Sequence, residues 1–228
     1  MKHPLLDSID AVITERNMLK HPFYQAWNEG KLTTDMLKDY ACQYYHFVKD
    51  FPRMVSAVHS NTPTLAAREP LLLNLMDEEL GAENHPELWM RFANALGATR
   101  EEVENTLPLP TTAGLVHAMM SFCKNSTFQE GLASLYAYES QVPEVSRTKI
   151  EGLKNFFGIT DPEAVKFFSV HQEADVHHSR SERDMIGAST PEYLYPSVEL
   201  AAKETAAALW GFLDGVQNAY VLSRGVMC

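Results

Sequence analysis

Three features of the chain predict an all-α fold. Apolar residues recur at spacings of three and four almost throughout, helix-start chemistry repeats along the sequence, and no alternating β-branched run reaches strand length. The first helix, near 4–20, follows from Leu5, Leu6, Ile9, Val12 and Ile13, which trace one buried stripe. A short helix near 22–29 stops at Gly30, and Thr33, a weak cap before Met36, opens a long one over 33–60. Helices near 64–81 and 84–96 stop at Gly81 and Gly97, where left-handed caps are expected. Thr99 with Glu102 starts 99–105: the hydroxyl accepts a free backbone N–H while the acid reaches back. Leu107-Pro108-Leu109-Pro110-Thr111 is the clearest loop, followed by a helix near 111–124.

Thr127 with Glu130 starts a helix at 127–157, and Thr160 with Glu163 starts one at 161–187. Gly158 separates the two, and Pro162 falls in a first turn, where its missing N–H has no partner to lose. The last helix runs near 190–220. Pro52 and Pro143 lie inside long helical patterns and are expected to kink or break them. With no repeat, low-complexity tract or linker, residues 1–228 read as a single helical domain, with a loose tail from about 218.

Composition narrows the function classes. Apolar residues at 45% and charged residues at 21% suit a globular chain rather than a disordered one. A net charge of −11 repels phosphate backbones and anionic lipid, which argues against nucleic acid and membrane as partners. Cys42, Cys123 and Cys228 form neither a disulfide framework nor a CxxC motif, so a reducing cytoplasm fits best. The N-terminus lacks an apolar targeting core, and no run approaches the roughly 18 apolar residues of a membrane helix.

Possible metal ligands fall on three of these segments. His171, Asp175 and His178 stand at i, i+4 and i+7, so at about 100° per residue they share one helix face within about 60°. Glu78 and His85 are also seven apart, with Gly81 between them, so a helix end and the next helix start can share the task. Glu139 is an acid in an apolar and aromatic stretch, where a lone buried carboxylate is costly unless paired or metal-bound. Three imidazoles and three carboxylates without a thiolate suit iron or manganese, in the manner of carboxylate-bridged di-metal proteins, and zinc also accepts them. The same spacing equally describes a solvated helix face, since Glu173, His177, Arg180 and Glu182 lie close by. His177 reads as exposed, and His46 and His59 have no acidic partner at helical spacing.

Tyrosines are the second unusual feature. Tyr24, Tyr40, Tyr44, Tyr45, Tyr136 and Tyr138 gather on the helices that line the core. Most tyrosines simply pack a ring and point the hydroxyl to a partner. Beside an oxidising metal pair, a phenol is also the easiest side chain to oxidise by one electron. Lys149, ten residues after Glu139, reads on position alone as a surface lysine.

The run Asn74-Leu-Met-Asp-Glu-Glu79 with Asn84-His85, the run Tyr138-Glu-Ser-Gln-Val-Pro143, and His171-x-Glu-Ala-Asp-Val-x-His178 resemble one family. It comprises the chlamydial protein associating with death domains (CADD) and its bacterial relatives, similar in fold to PqqC, TenA and the haem oxygenases. The resemblance runs from His21-Pro-Phe-Tyr24 to about Gly211-Phe-Leu-Asp214. It implies a haem-oxygenase-like bundle of about seven main helices, holding two ions of iron and/or manganese on Glu78, His85, Glu139, His171, Asp175 and His178. It further implies an O2-dependent oxygenase, fed by an external reductant, that makes para-aminobenzoate for folate biosynthesis. In that family the protein is its own substrate: Tyr24 matches the tyrosine that supplies the ring and Lys149 the lysine that supplies the amine. Tyr40 and Tyr138 match tyrosines near the centre, and a homodimer is typical of the fold relatives.

Two departures stand out. The family's cysteine-rich tail is absent, the chain ending Gly225-Val-Met-Cys228, and Phe167 replaces a tyrosine close to the metals. The second puts in doubt any mechanism that needs that phenol as a radical relay. Two other readings stay open. One is a PqqC- or TenA-like oxidase or hydrolase acting on an external small molecule, which a large open pocket beside the metals would favour. The other is an interaction protein that binds death domains, for which no docking surface is evident.

Overall fold

Proline and capping chemistry set most of the helix boundaries in the computed structural model, which describes residues 3–225. Eleven α-helices and no strand occur among them. They are α1 (Pro4–Glu15), α2 (Pro22–Asn28), α3 (Thr34–Asn61), α4 (Leu65–Glu79), α5 (His85–Ala95) and α6 (Arg100–Asn105), then α7 (Pro110–Asn125), α8 (Phe128–Glu139), α9 (Val142–Phe156), α10 (Pro162–Ser189) and α11 (Tyr195–Val216). The count exceeds both the ten segments read from periodicity and the seven implied by the resemblance. One reason is Pro143, which sits in the first turn of α9 and splits the segment expected at 127–157. Pro52 breaks nothing: α3 is continuous through it, with Phe51 and Pro52 both buried, so packing outweighs the lost hydrogen bond.

Thr33, Thr99 and Thr127 each form a capping box. Thr160 does not cap α10. Asp161 does, accepting from the Glu163 N–H at 3.1 Å, because Pro162 at the first helical position makes its predecessor the cap. Gly81 has φ +82°, a left-handed conformation that turns the chain sharply between α4 and α5. Asn84 then caps α5 by accepting from Glu87 N–H at 3.0 Å, so His85 starts a helix facing the end of α4.

The long α3 and α10 organise the bundle. α10 packs on α4, α5, α8 and α9, and α3 packs on α4, α5, α7 and α8. The core contains the fully buried rings of Phe23, Trp27, Tyr40, Phe47, Trp89, Phe92, Phe168 and Phe212. The elements α4, α5, α8 and α10, which bear the six candidate ligands, therefore converge on one interior region. No helix among the described residues is long and apolar enough to cross a membrane.

Residues 217–225, within the stretch expected to be a loose tail, make defined contacts with the bundle. Tyr220 accepts from Gln43 at 3.1 Å, Val221 is buried, and Arg224 pairs with Asp39 at 2.6 Å. Cys228 lies outside the described residues.

Candidate metal centre

The four helices bring the six candidate ligands together as two triads. One is Glu78, His85 and His171, the other Glu139, Asp175 and His178, and within each triad the ligand atoms lie within 4.8 Å of one another. All six side chains are buried. In the first triad, His85 Nδ1 is 2.9 Å from Glu78 Oε1, and the His85 and His171 rings are 4.2 Å apart. In the second, His178 Nδ1 lies 3.5 Å from Asp175 Oδ1 and 4.0 Å from Glu139 Oε1.

Outer partners orient the imidazoles. His171 Nδ1 faces the Phe167 carbonyl at 2.6 Å and donates to it, which leaves Nε2 with a free lone pair. His178 Nε2 meets Asp77 Oδ2 at 3.1 Å, so Nδ1 is the nitrogen turned to Asp175 and Glu139. Asn74 Nδ2 donates to Glu139 Oε1 at 2.8 Å and holds that carboxylate in place. Such partners fix tautomer and ring orientation in metal sites.

Burial and mutual repulsion govern the charges. Burial raises the carboxyl of Glu139, and it pushes that of Asp175 up to about 8 even though His178 opposes the shift. Burial opposes protonation of His178 as well, yet the Asp175, Glu139 and Asp77 carboxylates outweigh it and lift His178 to about 9. His171 is held well below the usual histidine range, first by burial and then by the neighbouring His85. Glu139 Oε2, both Asp175 oxygens and His178 Nδ1 are buried without a hydrogen-bond partner. Unsatisfied acceptors packed around imidazole lone pairs are what two metal ions would use, so these residues fit a dinuclear centre.

Next to the triads stands a buried phenol cluster. The hydroxyls of Tyr24 and Tyr40 are 3.0 Å apart, and Lys149 Nζ donates to Tyr40 at 2.7 Å. Tyr44 and Tyr138 share a second bond at 2.8 Å, and the Tyr40 and Tyr44 rings stack at 5.5 Å. Tyr138 and Tyr44 feel the charges of Asp175 and Glu78, and Lys149 reaches His171 electrostatically, so the cluster adjoins the ligands. Lys149 corrects the surface reading. It is buried, its Nζ lies 4.8 Å from the centroid of the Tyr24 ring, and desolvation holds its amine well below the usual lysine range. Burial likewise raises the Tyr24 phenol.

Phe167 packs its ring 4.1 Å from His171 and 6.0 Å from His85, on the first triad itself. Tyr136 is elsewhere, donating to Asp10 at 2.8 Å, and His46 is used by the Thr106 carbonyl at 2.8 Å. Residues that sequence reasoning missed are Asn74, Asp77 and Glu182. Asn74 and Asp77 stand one turn and one residue before Glu78, which was their available signal. Glu182, grouped above with a solvated face, is 1% exposed, and burial with the adjacent Glu139 raises its carboxyl well above the usual range. His177, by contrast, is exposed as expected.

The TENA/THI-4/PQQC family model matches residues 6–215. The chain is 45% identical over 223 residues to the 4-aminobenzoate synthase of Nitrosomonas europaea, covering 93% of this chain and 90% of that protein. It is 43% identical over 209 residues to the 4-aminobenzoate synthase of Chlamydia trachomatis serovar D, covering 92% and 90%. Among solved structures, a TenA homologue from Pseudomonas syringae pv. tomato superposes with a TM-score of 0.79 at 17% identity, covering 94% of this chain and 91% of that one.

Proposed function

We propose that this chain, which belongs to the TENA/THI-4/PQQC family, is an enzyme that makes 4-aminobenzoate from its own Tyr24 and Lys149. Relatives at 38–45% identity over most of their length are named 4-aminobenzoate synthase, which supports the product. The observation that carries the self-sacrificing reading is the placement of a buried amine, Lys149 Nζ, 4.8 Å from the Tyr24 ring centroid.

Tyrosine already has the product's substitution pattern, since Cβ and the phenol oxygen stand para across the ring, as carboxyl and amine do in 4-aminobenzoate. Conversion keeps Cβ as the carboxyl carbon, breaks Cα–Cβ and exchanges the ring oxygen for nitrogen. Two ions of iron and/or manganese, held by Glu78, His85, Glu139, His171, Asp175 and His178, would supply the oxidising power together with O2 and a reductant. The chain's own residues do the rest. Tyr40 holds the Tyr24 hydroxyl and the Lys149 amine through one oxygen, so ring and nitrogen donor are prepositioned without the entropic cost of substrate capture. Desolvation holds the Lys149 amine well below the usual lysine range and so favours the neutral form, whose lone pair can react. The surrounding rings of Trp27, Tyr44, Trp89 and Phe168, each within 5.8 Å of Nζ, exclude water from the pair.

A surface hollow of about 430 Å³ reaches the rim of the centre at His85. Asp77, Glu83 and Glu173 line it, and its Lys166 is already paired with Glu83 at 2.6 Å, so it suits an anionic external substrate poorly. The deciding experiment labels the protein itself. Chain carrying ring-labelled tyrosine and 15N-lysine, given Fe(II), reductant and O2, should release 4-aminobenzoate bearing both labels at no more than about one per chain. Sustained turnover on an added small molecule, or unlabelled product, would move the protein to the external-substrate class.

A further inference from the structure

α10 carries one more inward-facing group that neither triad includes. Glu182 follows His171 by eleven residues, which at about 100° per residue places it about 20° from His171 around the helix, within the arc of Asp175 and His178. Its side chain is 1% exposed, and both carboxyl oxygens are buried with no N–H or hydroxyl donor to accept from, Glu139 being the carboxyl it meets. The carboxylates acting on it are Glu139 and Asp175, both of the second triad. The adjacent Arg183 is directed away, to Asp10 at 2.7 Å. A carboxyl placed among two others, with only another carboxyl to share a hydrogen bond, is strongly unfavourable when ionised unless a cation joins them.

Charge balance points the same way. Glu78, Glu139, Asp175 and Glu182 are the four buried acids of this region, and ionised they carry four negative charges. Two divalent ions neutralise four carboxylates, whereas three would leave a net positive charge in a low-dielectric interior.

We infer that Glu182 is a further metal ligand, joining Glu139, Asp175 and His178. This rests on the dinuclear centre proposed above and deepens it. The second site then has three carboxylates and one imidazole, against one carboxylate and two imidazoles at Glu78, His85 and His171. It is the harder, more oxygen-rich of the two. The competing role is that of a protonated acid that only hydrogen-bonds Glu139.

Glu182→Gln separates these roles, because the amide can still donate to Glu139 but offers no anionic oxygen to a metal. Metal-depleted wild type and variant are titrated with Mn(II), free ion being followed by its electron paramagnetic resonance signal, with circular dichroism to compare helicity. The wild type should take about two ions per chain. The variant should take the first with unchanged affinity and the second at least about tenfold more weakly. A variant that takes both ions with wild-type affinity overturns the assignment. Anomalous diffraction from Mn(II)-loaded wild-type crystals decides the matter whether or not the variant folds. A Glu182 oxygen within about 2.5 Å of the second ion supports the inference, and Glu182 turned only to Glu139 refutes it. Wild type that takes up fewer than two ions would instead overturn the dinuclear centre itself.

Discussion

Lys149 Nζ donates to the Tyr40 hydroxyl at 2.7 Å inside a cage of aromatic rings, and desolvation alone depresses its amine. The Tyr40 oxygen also meets Tyr24 at 3.0 Å, so one phenol ties the amine to the ring it faces. A lysine buried in this way destabilises the fold at neutral pH, which makes it detectable without any assay of product.

The sign follows from proton counting. Above its depressed folded pKa Lys149 is neutral in the native chain, while the unfolded chain holds the proton up to about pH 10.4. Between those limits the unfolded state binds more protons, so stability rises with pH by about 1.4 kcal/mol per unit from this group. Lys149→Met lacks the term. Chemical denaturation at matched metal content should find the variant more stable than wild type at pH 7, with the gap narrowing by about that slope toward pH 9.5. A gap that does not change with pH would mean that Lys149 is charged in the folded protein.

Asp77 is expected to set the affinity of the second triad through His178. Its carboxylate at 3.1 Å from Nε2 directs Nδ1 to Asp175 and Glu139. Asp77→Asn should weaken one of the two ions about 10–100-fold and leave the other unchanged, since Asp77 makes no such bond to the first triad. His178→Ala should lose about one ion per chain outright. Metal analysis by plasma mass spectrometry after dialysis tests both, and full retention of two ions by His178→Ala would exclude the second site.

Gly81 offers a test of how the first triad is assembled. At φ +82° a Cβ meets no neighbour within 4 Å, so the penalty in Gly81→Ala is backbone strain alone. That strain costs about 1–2 kcal/mol, or a fall in Tm of about 2–8 °C for a chain of this size. The turn also sets the 2.9 Å approach of Glu78 and His85, so the ion bound there should weaken along with the fold. Unchanged Tm and metal content together would show that the turn tolerates a side chain.

Much of this site was legible in the sequence, and the reasons for the gaps are physical. The spacing of His171, Asp175 and His178 fixes a shared face because a helix repeats every 3.6 residues. The same wheel carried one turn further reaches Glu182, but nearby Glu173, His177 and Arg180 suggested a solvated face. Burial is decided by α4 and α8 packing against α10, which a local pattern does not contain. Lys149 was opaque for the same reason, since its cage is drawn from α2, α3, α5 and α10. Proline was ambiguous too: Pro143 opens a helix and Pro52 sits within one, and only tertiary packing separates the two outcomes.

The sharpest chemical prediction concerns Tyr24 and Lys149 together. Tyr24→Phe removes the ring oxygen that nitrogen must replace, so product should vanish while two metal ions remain bound. Tyr40 keeps its bond from Lys149 in that variant, and the lost hydrogen bond should lower stability by no more than about 1.5 kcal/mol. Lys149→Arg should also abolish product, because a guanidinium stays protonated and cannot surrender its nitrogen. The bulkier head overfills the aromatic cage, at a further stability cost of about 1–3 kcal/mol. Mass spectrometry of the reacted wild-type chain provides the complementary readout, since mass should be lost at residues 24 and 149 and nowhere else. Product formed at wild-type yield by either variant, or reacted chain with both residues intact, would refute the self-sacrificing reading and leave the two metal triads to serve a different substrate.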